Sequence, residues 1–433
     1  MSGLAPGSRI ELPQTRRSAT VQHMLGEGSQ GAVYDVEVEP TGERHALKWY
    51  FASRALQKQR DAIDELVERG SPDDRFLWPT EIALVAGRPS FGYLMPLRDE
   101  ASVGLAELLS GKVDVSYSTV CTLGMELSDT FFRLHSLGLC YRDISFGNVF
   151  FDPATGRPLI CDNDNVGVDG ASTSMVLGTR RFMAPEIVRW EASPSTATDL
   201  FSLAVLLFYV LMVGHPLVGR RELEFAVWDQ HAESVMFGNQ PLFVFDPKDS
   251  SNAPDPELHG AVITNWDLYP AQIQRLFTQA FTSGLSDPIN GRVRESVWRS
   301  ALARLRDSIV RCPACSKENF WRPEIRGCGC WSCHRVLTTP VRLMIAGRQL
   351  VLNNGTMVYR HHLHLDYDFT TAVAQVTRHP TLAGRWGLRN LTNSTWKVRM
   401  PSGETTVAEP GRSVGLLPGT QIVIAGTSTT VEC

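Results

Sequence analysis

The chain has 433 residues, of which 43% are hydrophobic and 20% are charged. This composition is typical of a soluble globular protein and excludes a disordered chain, a collagen and a small disulfide scaffold. Forty-two Lys and Arg stand against 46 Asp and Glu, so the formal net charge of -4 gives no global positive field that would attract nucleic acid or an anionic membrane.

The N-terminal residues 1–17 contain Gly, Pro and charged residues without an apolar core, so they do not predict a secretory signal. The longest apolar stretch, residues 201–214, is shorter than the ~20 residues that cross a bilayer, and it predicts a helix buried in a large domain. We therefore expect a cytoplasmic protein without a membrane contact. At roughly 100 to 200 residues per domain, the length predicts several domains.

Residues 21–84 alternate short strand-like runs with Gly-containing turns and predict a small sheet-rich lobe. The sequence LGEGSQGAVY places Gly26, Gly28 and Gly31 in a G-x-G-x-x-G pattern, whose missing side chains let backbone N–H groups approach phosphate oxygens. A dinucleotide-binding fold would place a helix directly after these glycines, whereas residues 32–38 alternate like a strand. The pattern predicts a nucleotide-binding hairpin, with a plain hairpin turn as the alternative.

Lys48 lies in the middle of the apolar strand-like run HALKW. Burial of an ammonium group costs roughly several kcal/mol unless an anion meets it, so we expect Lys48 to contact phosphate and a carboxylate. Residues 55–69 predict a helix with two candidates for this carboxylate, Glu65 and Glu68. Two solvated helix charges are the alternative interpretation.

Helical periodicity dominates residues 105–310 and predicts a larger helical lobe. Within it, YRDISFGN places Asp143 five residues before Asn148, and a strand and a turn then lead to Asp162 in the segment CDND. Phosphoryl transfer needs positioning and neutralisation of oxygen charge more than covalent attack. Carboxylates, an amide and a lysine are the residue types that such chemistry requires around Mg-ATP.

Together and in this order, the motifs of residues 21–310 resemble the eukaryotic-like (Hanks-type) Ser/Thr protein kinase family. The resemblance implies that Asp143 orients the substrate hydroxyl and accepts its proton, and that Asn148 and Asp162 bind Mg²⁺ or Mn²⁺. The distance to the downstream segment FLWP favours Glu65 over Glu68 as the partner of Lys48. The residues implied to bind ATP are Gly26, Gly28, Gly31, Val33, Ala46, Lys48, Glu65, Met95 and Leu97, with the backbone near Met95 and Leu97 on adenine.

Residues 178–186 (GTRRFMAPE) resemble the end of the family's activation segment, and residues 198–203 resemble the start of its buried central helix. The resemblance implies an internal ion pair between Glu186 and Arg292 and a structural role for Asp199. A segment of this kind accompanies a peptide-docking activation loop. It therefore argues against a small-molecule phosphotransferase such as an aminoglycoside-type kinase.

The stretch before this segment is rich in hydroxyl groups, and Arg142 directly precedes Asp143. A phosphorylated activation loop can pair with such an arginine and become ordered. We therefore predict autophosphorylation at Ser172, Thr173 or Ser174, with a plain polar loop as the alternative.

Three departures from the family pattern concern the catalytic segments. Tyr141 replaces the usual His, Ser145 stands where a Lys steadies the transferred phosphate, and Asn163 and Asp164 replace Phe and Gly. The base and the metal ligands are retained, so an active Ser/Thr kinase is the main prediction. A pseudokinase scaffold that recruits partners through its C-terminal half is the alternative.

The segment 311–338 is rich in Cys and Gly and too poor in aliphatic residues to build its own core. Its two C-x₂-C pairs, fourteen residues apart, predict a structural Zn²⁺ site formed by Cys312, Cys315, Cys330 and Cys333. Cys328 is the rival of Cys330, but only Cys330 repeats the pair spacing with Cys333. Acidic residues partly balance the basic ones here, so we expect a protein contact and not nucleic acid.

Residues 340–433 contain short strand-like runs separated by Asn-Gly, Ser-Gly and Pro-Gly turns, which predict a small all-β sandwich. Residues 386–432 faintly resemble the forkhead-associated fold, but that family's phosphopeptide contacts do not occur in their usual order. We interpret a degenerate sandwich that docks a partner or the kinase itself. His361, His362 and His364 are predicted to lie on a strand surface.

The predicted fold class is α+β, a bilobal protein kinase fold followed by a zinc ribbon and a small all-β sandwich. The predicted domains are a kinase N-lobe at 20–98, a kinase C-lobe at 99–310, a zinc ribbon at 311–338 and a forkhead-associated-like sandwich at 340–433. This architecture resembles bacterial kinases of tellurite-resistance-type clusters. The implied partners are protein substrates, a von Willebrand factor A-type protein and a metal-dependent protein phosphatase.

Overall fold

The computed structural model describes residues 3–170, 178–325, 327–379, 381 and 385–433. The chain divides into two compact units. The first unit comprises Met1–Val115, Thr122–Asp267 and Ala271–Ser300, and the second comprises Ser116–Cys121, Leu268–Pro270 and Ala301–Cys433. Among the described helices, none is long and apolar enough to cross a membrane.

Six antiparallel strands of the first unit close into a barrel, and a helix follows the fourth of them. The strands are β1 (Arg9–Leu12), β2 (Arg17–Glu27), β3 (Gly31–Glu39), β4 (Glu43–Tyr50), β5 (Glu81–Leu84) and β6 (Phe91–Pro96), and the helix is α1 (Gln57–Arg69). Their order around the barrel is β1-β2-β3-β4-β6-β5, and β1 meets β5 at Glu11 and Leu84. The hairpin predicted around the glycines is β2 and β3.

Apolar side chains that alternate along these strands fill the inside of the barrel. The buried set includes Ile10 on β1, Val36 on β3 and Leu47 and Trp49 on β4. Because strand β4 lies between β3 and β6, its middle residues are held by neighbours on both sides. Lys48 is one of these middle residues.

Helices of different lengths and short strands make up most of the chain between residues 103 and 307. The helices are α2 (Leu105–Leu109), α3 (Tyr117–Ser136), α4 (Pro185–Val188), α5 (Thr196–Met212), α6 (Gln230–Ser234), α7 (Gly260–Leu268), α8 (Ala271–Phe281), α9 (Ser283–Ser286) and α10 (Glu295–Asp307). The strands are β7 (Val103–Gly104), β8 (Leu139–Cys140), β9 (Val149–Phe151), β10 (Pro158–Ile160) and β11 (Gly167–Val168).

Helix α5 is buried along most of its 17 residues, as its uniformly apolar sequence predicts. It begins after Ser195, whose side chain accepts a hydrogen bond from the backbone N–H of Thr198, and it ends at Val213 in the left-handed conformation. A buried helix of this kind can carry a polar residue only where that residue has partners. Asp199 in its first turn is such a residue.

The second unit contains two sheets that share one apolar core. Strands β12 (Ile309–Arg311) and β13 (Glu318–Phe320) form a hairpin that precedes them. A six-stranded sheet contains β14 (Arg342–Ile345), β15 (Arg348–Val351), β19 (Trp396–Arg399), β20 (Thr405–Ala408), β22 (Gln421–Ile424) and β23 (Thr427–Glu432), and a four-stranded sheet contains β16 (Met357–Tyr359), β17 (Ala372–Arg378), β18 (Trp386–Asn390) and β21 (Ser413–Gly415). The all-β character predicted for this region is confirmed.

The prediction that the histidines lie on a strand surface is wrong. Residues 360–364 form a short helix, α11 (Arg360–His364), in which His361 and His362 are buried. His361 Nδ1 accepts a hydrogen bond from the N–H of Tyr367 at 2.9 Å. His362 Nδ1 accepts one from the N–H of Tyr359 at 2.7 Å, and its Nε2 lies 3.1 Å from a carboxylate oxygen of Asp307. These histidines are satisfied by the fold.

His135, near the end of α3, lies between two carboxylates of the first unit. Its Nε2 is 3.1 Å from Asp199 Oδ2, and its Nδ1 contacts Glu295 Oε1. Burial by itself lowers the pKa of the imidazole, but the two carboxylates outweigh it and raise this pKa to about 9. His135 is therefore a buried cation that links α3 to α5 and α10.

The folded chain should become less stable as the pH rises from about 6.5 to about 9, because His135 then loses its charge. The folded pKa of His135 lies above its ordinary value of 6.5, so the stabilisation is complete below about pH 6.5 and is lost as the pH rises through about 9. We expect the free energy of unfolding to fall by up to about 3 kcal/mol over this range, measured by urea denaturation. The variant His135→Gln should lose most of this pH dependence, and an unchanged dependence would contradict the assignment.

Candidate active site

Lys48 lies buried on β4, with 7% of its side chain exposed, and its ammonium group meets two carboxylates. Nζ is 2.9 and 2.8 Å from the two carboxylate oxygens of Asp164, and 3.4 Å from Asp162 Oδ1. Burial lowers the pKa of Lys48, but the charges of Asp164 and Asp162 raise it above its ordinary value. The lysine therefore remains a cation inside the first unit.

The expected partner on α1 does not contact Lys48, which corrects the prediction made for Glu65. Glu65 has 54% of its side chain exposed and pairs with Arg69 at 2.8 Å, and Glu68 is exposed as well. The reason is the orientation of the helix, because α1 buries Ile63 and Leu66 and so turns both glutamates toward solvent.

Gln59, which lies one helical turn before Ile63, is the α1 residue that reaches this site. Its Nε2 donates to the Tyr50 hydroxyl at 3.2 Å and to the backbone carbonyl of Asp164 at 3.5 Å. In the sequence, Asp164 stands out only as a departure from the family pattern, and Gln59 and Tyr50 do not stand out at all. The signal that could have identified Asp164 is a second carboxylate two residues after Asp162, directly after a buried strand.

Asp143 and Asn148 lie on the loop between β8 and β9. Asp143 Oδ1 accepts hydrogen bonds from the N–H and the hydroxyl of Thr179 at 2.7 and 2.8 Å, and its Oδ2 accepts one from Asn148 Nδ2 at 3.1 Å. Burial raises the pKa of Asp143, and these hydrogen bonds only partly offset the effect. The carboxylate is thus oriented by donors on two different segments.

Asp199 holds the start of this loop in place. Its carboxylate accepts hydrogen bonds from the backbone N–H groups of Tyr141 and Arg142, the latter at 3.0 Å. Since Asp199 belongs to the buried helix α5, the loop that carries Asp143 and Asn148 is anchored to this helix. This is the structural role that the sequence implied for Asp199.

Asn148 and Asp162 provide oxygen atoms that suit a hard divalent cation. Asn148 uses its amide Nδ2 to donate to the backbone carbonyl of Asp143 at 2.9 Å, which leaves the amide oxygen as its group available to a metal. The backbone carbonyl of Asn148 accepts a hydrogen bond from the N–H of Cys161 at 3.0 Å, which ties the loop to the residue before Asp162. Asp162 has 45% of its side chain exposed. Such a donor set fits Mg²⁺.

The three glycines of the hairpin have different environments. The N–H of Gly28 donates to the carbonyl of Gly31 at 2.9 Å and closes the turn. A Cβ atom at Gly31 would lie 2.2 Å from the carbonyl oxygen of Trp49, so only glycine fits there. At Gly26 a Cβ atom would meet nothing within 4 Å, and at Gly28 only the carbonyl oxygen of Gly31 at 4.0 Å. Two of the glycines therefore leave the backbone of the tip accessible.

The remaining residues assigned to nucleotide binding lie on the strands beside Lys48. Val33 on β3 is the register partner of Lys48 and is half-buried. Ala46 on β4 pairs with Met95 on β6, and both are buried, while Leu97 follows the end of β6 and is half-buried. Except for Glu65, the predicted residues thus lie on the hairpin, on β4, or where β6 ends.

The expected ion pair between Glu186 and Arg292 is present. Arg292 Nη2 is 2.7 and 2.9 Å from the two carboxylate oxygens of Glu186, and its Nη1 donates to the carbonyl of Ala197 at 2.7 Å. The pair joins the segment of α4 to the turn before α10. The predicted phosphorylation sites Ser172, Thr173 and Ser174 lie outside the described residues.

A second candidate site in the second unit consists of four cysteine thiols. One sulfur atom from each of Cys312, Cys315, Cys330 and Cys333 lies within 4.8 Å of all the others, and two of the sulfur pairs are 3.6 Å apart. A tetrahedral zinc–thiolate centre with Zn–S bonds of about 2.3 Å places its sulfurs about 3.8 Å apart, so the cluster fits Zn²⁺.

Hydrogen bonds favour the thiolate form of Cys330. Burial raises its pKa, but the N–H groups of Cys333 and Ser332 and the amide of Asn319 outweigh this effect and lower the pKa to about 6. Cys328 does not belong to the cluster, and its sulfur lies 3.5 Å from Arg322 Nη2. This geometry agrees with the C-x₂-C spacing, which favours Cys330 over Cys328.

Comparison with known proteins gives matches to the part of the chain that contains the first site. The sequence model of the protein kinase domain matches residues 19–255, which is more than half of the chain. Serine/threonine-protein kinase PknK of Mycobacterium bovis is 28% identical over 227 residues, covering 50% of this chain and 19% of that protein.

Two further relatives come from mammals. Rhodopsin kinase GRK7 of Bos taurus is 27% identical over 197 residues, covering 43% of this chain and 34% of that protein. Ribosomal protein S6 kinase alpha-4 of Mus musculus is 34% identical over 203 residues, covering 45% of this chain and 26% of that protein. The chain therefore spans about a third or less of the length of these three relatives.

The four-cysteine cluster predicts one zinc ion per chain. We expect metal analysis of the purified protein to give one equivalent of zinc, and Cys330→Ser to lose most of it, because a tetrahedral site needs all four thiolates. The matched control is Cys328→Ser, which removes a neighbouring thiol outside the cluster and should retain the metal. Equal zinc contents in the two variants would contradict the ligand assignment.

Proposed function

Because the chain belongs to the protein kinase domain family, we propose that it is a serine/threonine protein kinase that transfers the γ-phosphate of Mg-ATP to protein hydroxyl groups. The observation that carries the proposal is the arrangement of Lys48, Asp162, Asn148 and Asp143. In the first unit a buried cation, two candidate metal ligands and a candidate base are linked by hydrogen bonds and charge. Phosphoryl transfer needs this combination of groups.

In this proposal Asp143 is the catalytic base. Thr179 and Asn148 hold its two carboxylate oxygens, so that one orientation is maintained while a substrate hydroxyl approaches. Its pKa is raised by burial, which favours acceptance of the hydroxyl proton. The proton moves from the hydroxyl oxygen to the carboxylate as that oxygen bonds to the γ-phosphorus, while the bond between the γ-phosphorus and the β–γ bridging oxygen breaks and ADP leaves.

Lys48, Asn148 and Asp162 bind and orient the triphosphate in the same proposal. Lys48 offers its ammonium group to phosphate oxygens, and Asn148 and Asp162 offer oxygen ligands to the metal. Held by the oxygens of Asn148 and Asp162, Mg²⁺ would offset the negative charge of the triphosphate. Gly26 and Gly28 leave the hairpin backbone open to the phosphates, and the backbone at Met95 and Leu97 holds adenine.

We further propose the domain assignments 20–98 and 99–310 for the two kinase lobes, 311–338 for the zinc ribbon and 340–433 for the forkhead-associated-like sandwich. The four-thiol cluster and the two-sheet core support the last two assignments. The zinc ion is structural in this proposal, because all four of its ligands come from the protein. The sandwich serves protein docking.

The biological setting is also part of the proposal. We infer bacterial signalling in the cytoplasm, with autophosphorylation at Ser172, Thr173 or Ser174. The order of the domains supports the signalling role, and the free thiols of the described cysteines support the cytoplasmic location. A von Willebrand factor A-type protein and a metal-dependent protein phosphatase are the proposed partners, on the resemblance of the domain order to tellurite-resistance-type clusters.

A phosphate-transfer assay separates the kinase from the pseudokinase scaffold. We expect Asp143→Asn to reduce the transfer of labelled γ-phosphate, to itself or to a basic protein, by roughly 10²- to 10⁴-fold, because the base is lost while Mg-ATP binding remains. Glu257→Gln, which changes an exposed carboxylate outside the site, should keep the wild-type rate. A wild-type rate no higher than that of Asp143→Asn would favour the scaffold.

A further inference from the structure

We propose that Asp164 is the positioning residue for Lys48, and that it carries the counter-ion role which sequence reasoning sought on helix α1. The inference rests on the proposed kinase function and identifies how its lysine is held. Asp164 belongs to a short 3-10 turn, Asn163–Asn165, that directly follows Asp162. Both of its carboxylate oxygens lie within 2.9 Å of Lys48 Nζ.

The two aspartates differ in burial and in number of contacts. Asp164 has a fully buried side chain and two close contacts with the ammonium group, whereas Asp162 is 45% exposed and makes one contact at 3.4 Å. A buried carboxylate is retained only where a cation or donors satisfy it. This difference assigns Asp164 to Lys48 and leaves Asp162 available to the metal.

Neutral donors complete the environment of Asp164. The Tyr50 hydroxyl contacts Asp164 Oδ2, and the ring of Tyr50 lies against those of Phe91 and Tyr93, with centroids 5.1 and 6.2 Å apart. The amide of Asn163 donates to the carbonyl of Ile160 at 3.0 Å and fixes the turn to the end of β10. The Asp164 carboxylate is therefore held by a hydroxyl group from the barrel, and the turn that carries it is fixed to β10.

Helix α1 is linked to this group without a charge. Gln59 donates to Tyr50 and to the backbone of Asp164, and among the described residues no carboxylate of α1 contacts Lys48. A shift of α1 would therefore break neutral hydrogen bonds and leave the ion pair of Lys48 intact. The position of the lysine depends on the 162–165 segment.

The decisive experiment moves the carboxylate from Asp164 to α1. We expect Asp164→Asn, which keeps the shape and removes the charge, to lower kcat for phosphate transfer and the affinity for a fluorescent ATP analogue, each by roughly 10- to 100-fold. Adding Gln59→Glu to this variant should restore at least about tenfold of the loss, since residue 59 already contacts the Tyr50 hydroxyl, which also contacts Asp164, and the backbone of residue 164. A purely structural role would not be rescued in this way.

Several outcomes would overturn the proposal. Wild-type kcat and nucleotide affinity in Asp164→Asn would do so, as would a double variant no better than Asp164→Asn, or an equal loss in Glu65→Gln. Thermal denaturation checks that each variant folds. If Asp164→Asn does not fold, Asp164→Ala, alone and combined with Gln59→Glu, replaces the two variants and is judged by the same criteria. If the wild type binds the analogue but transfers no phosphate, the proposed function fails, and the binding data still test Asp164.

Discussion

The buried ammonium group of Lys48 is the constraint on which the candidate active site depends. A lysine inside a barrel strand must meet a fixed anion, and the chain supplies one from a segment more than 100 residues away in sequence. Meeting this requirement brings the segment after β10 against β4. The same segment carries Asp162, and the backbone N–H of its neighbour Cys161 donates a hydrogen bond to the carbonyl of Asn148, so the same segment is also linked to the second candidate metal ligand.

Spacing motifs predicted much of this site. The interval from Asp143 to Asn148 and the two cysteine pairs belong to patterns in which short-range chain geometry decides the outcome. The pairing of Glu186 with Arg292, which are far apart in the chain, followed from the family resemblance. The sheet-rich lobe and the buried helix α5 followed from alternation and from uniform apolarity, whereas the closure of the sheet into a barrel was not predicted. Where spacing or periodicity made the prediction, the relevant physics acts within a few residues or along one element.

The partner of Lys48 could not be predicted in this way. The choice between Glu65 and Asp164 depends on which face of α1 packs inward, and Ile63 and Leu66 settle it through contacts that spacing does not encode. Gln59 carries no charge and gave no signal. The prediction for His361 and His362 was wrong for a related reason. Their burial depends on hydrogen bonds with Asp307 and with two backbone N–H groups, which the sequence pattern around the histidines does not show. Strand β23 was not predicted either, because it is rich in Thr and lacks a strong apolar alternation.

The first strand gives the barrel a property that the family match alone would miss. Strand β1 lies before residue 19, where the match to the protein kinase domain begins, and it joins β2 to β5. The hydroxyl and N–H of Thr15, just after it, also bind the carboxylate of Glu81 on β5. A chain trimmed to the family boundary would expose the backbone edges of β2 and β5, and such unpaired edges invite strand addition and self-association. Strand β1 thus covers the edges of β2 and β5 and prevents other strands from pairing with them.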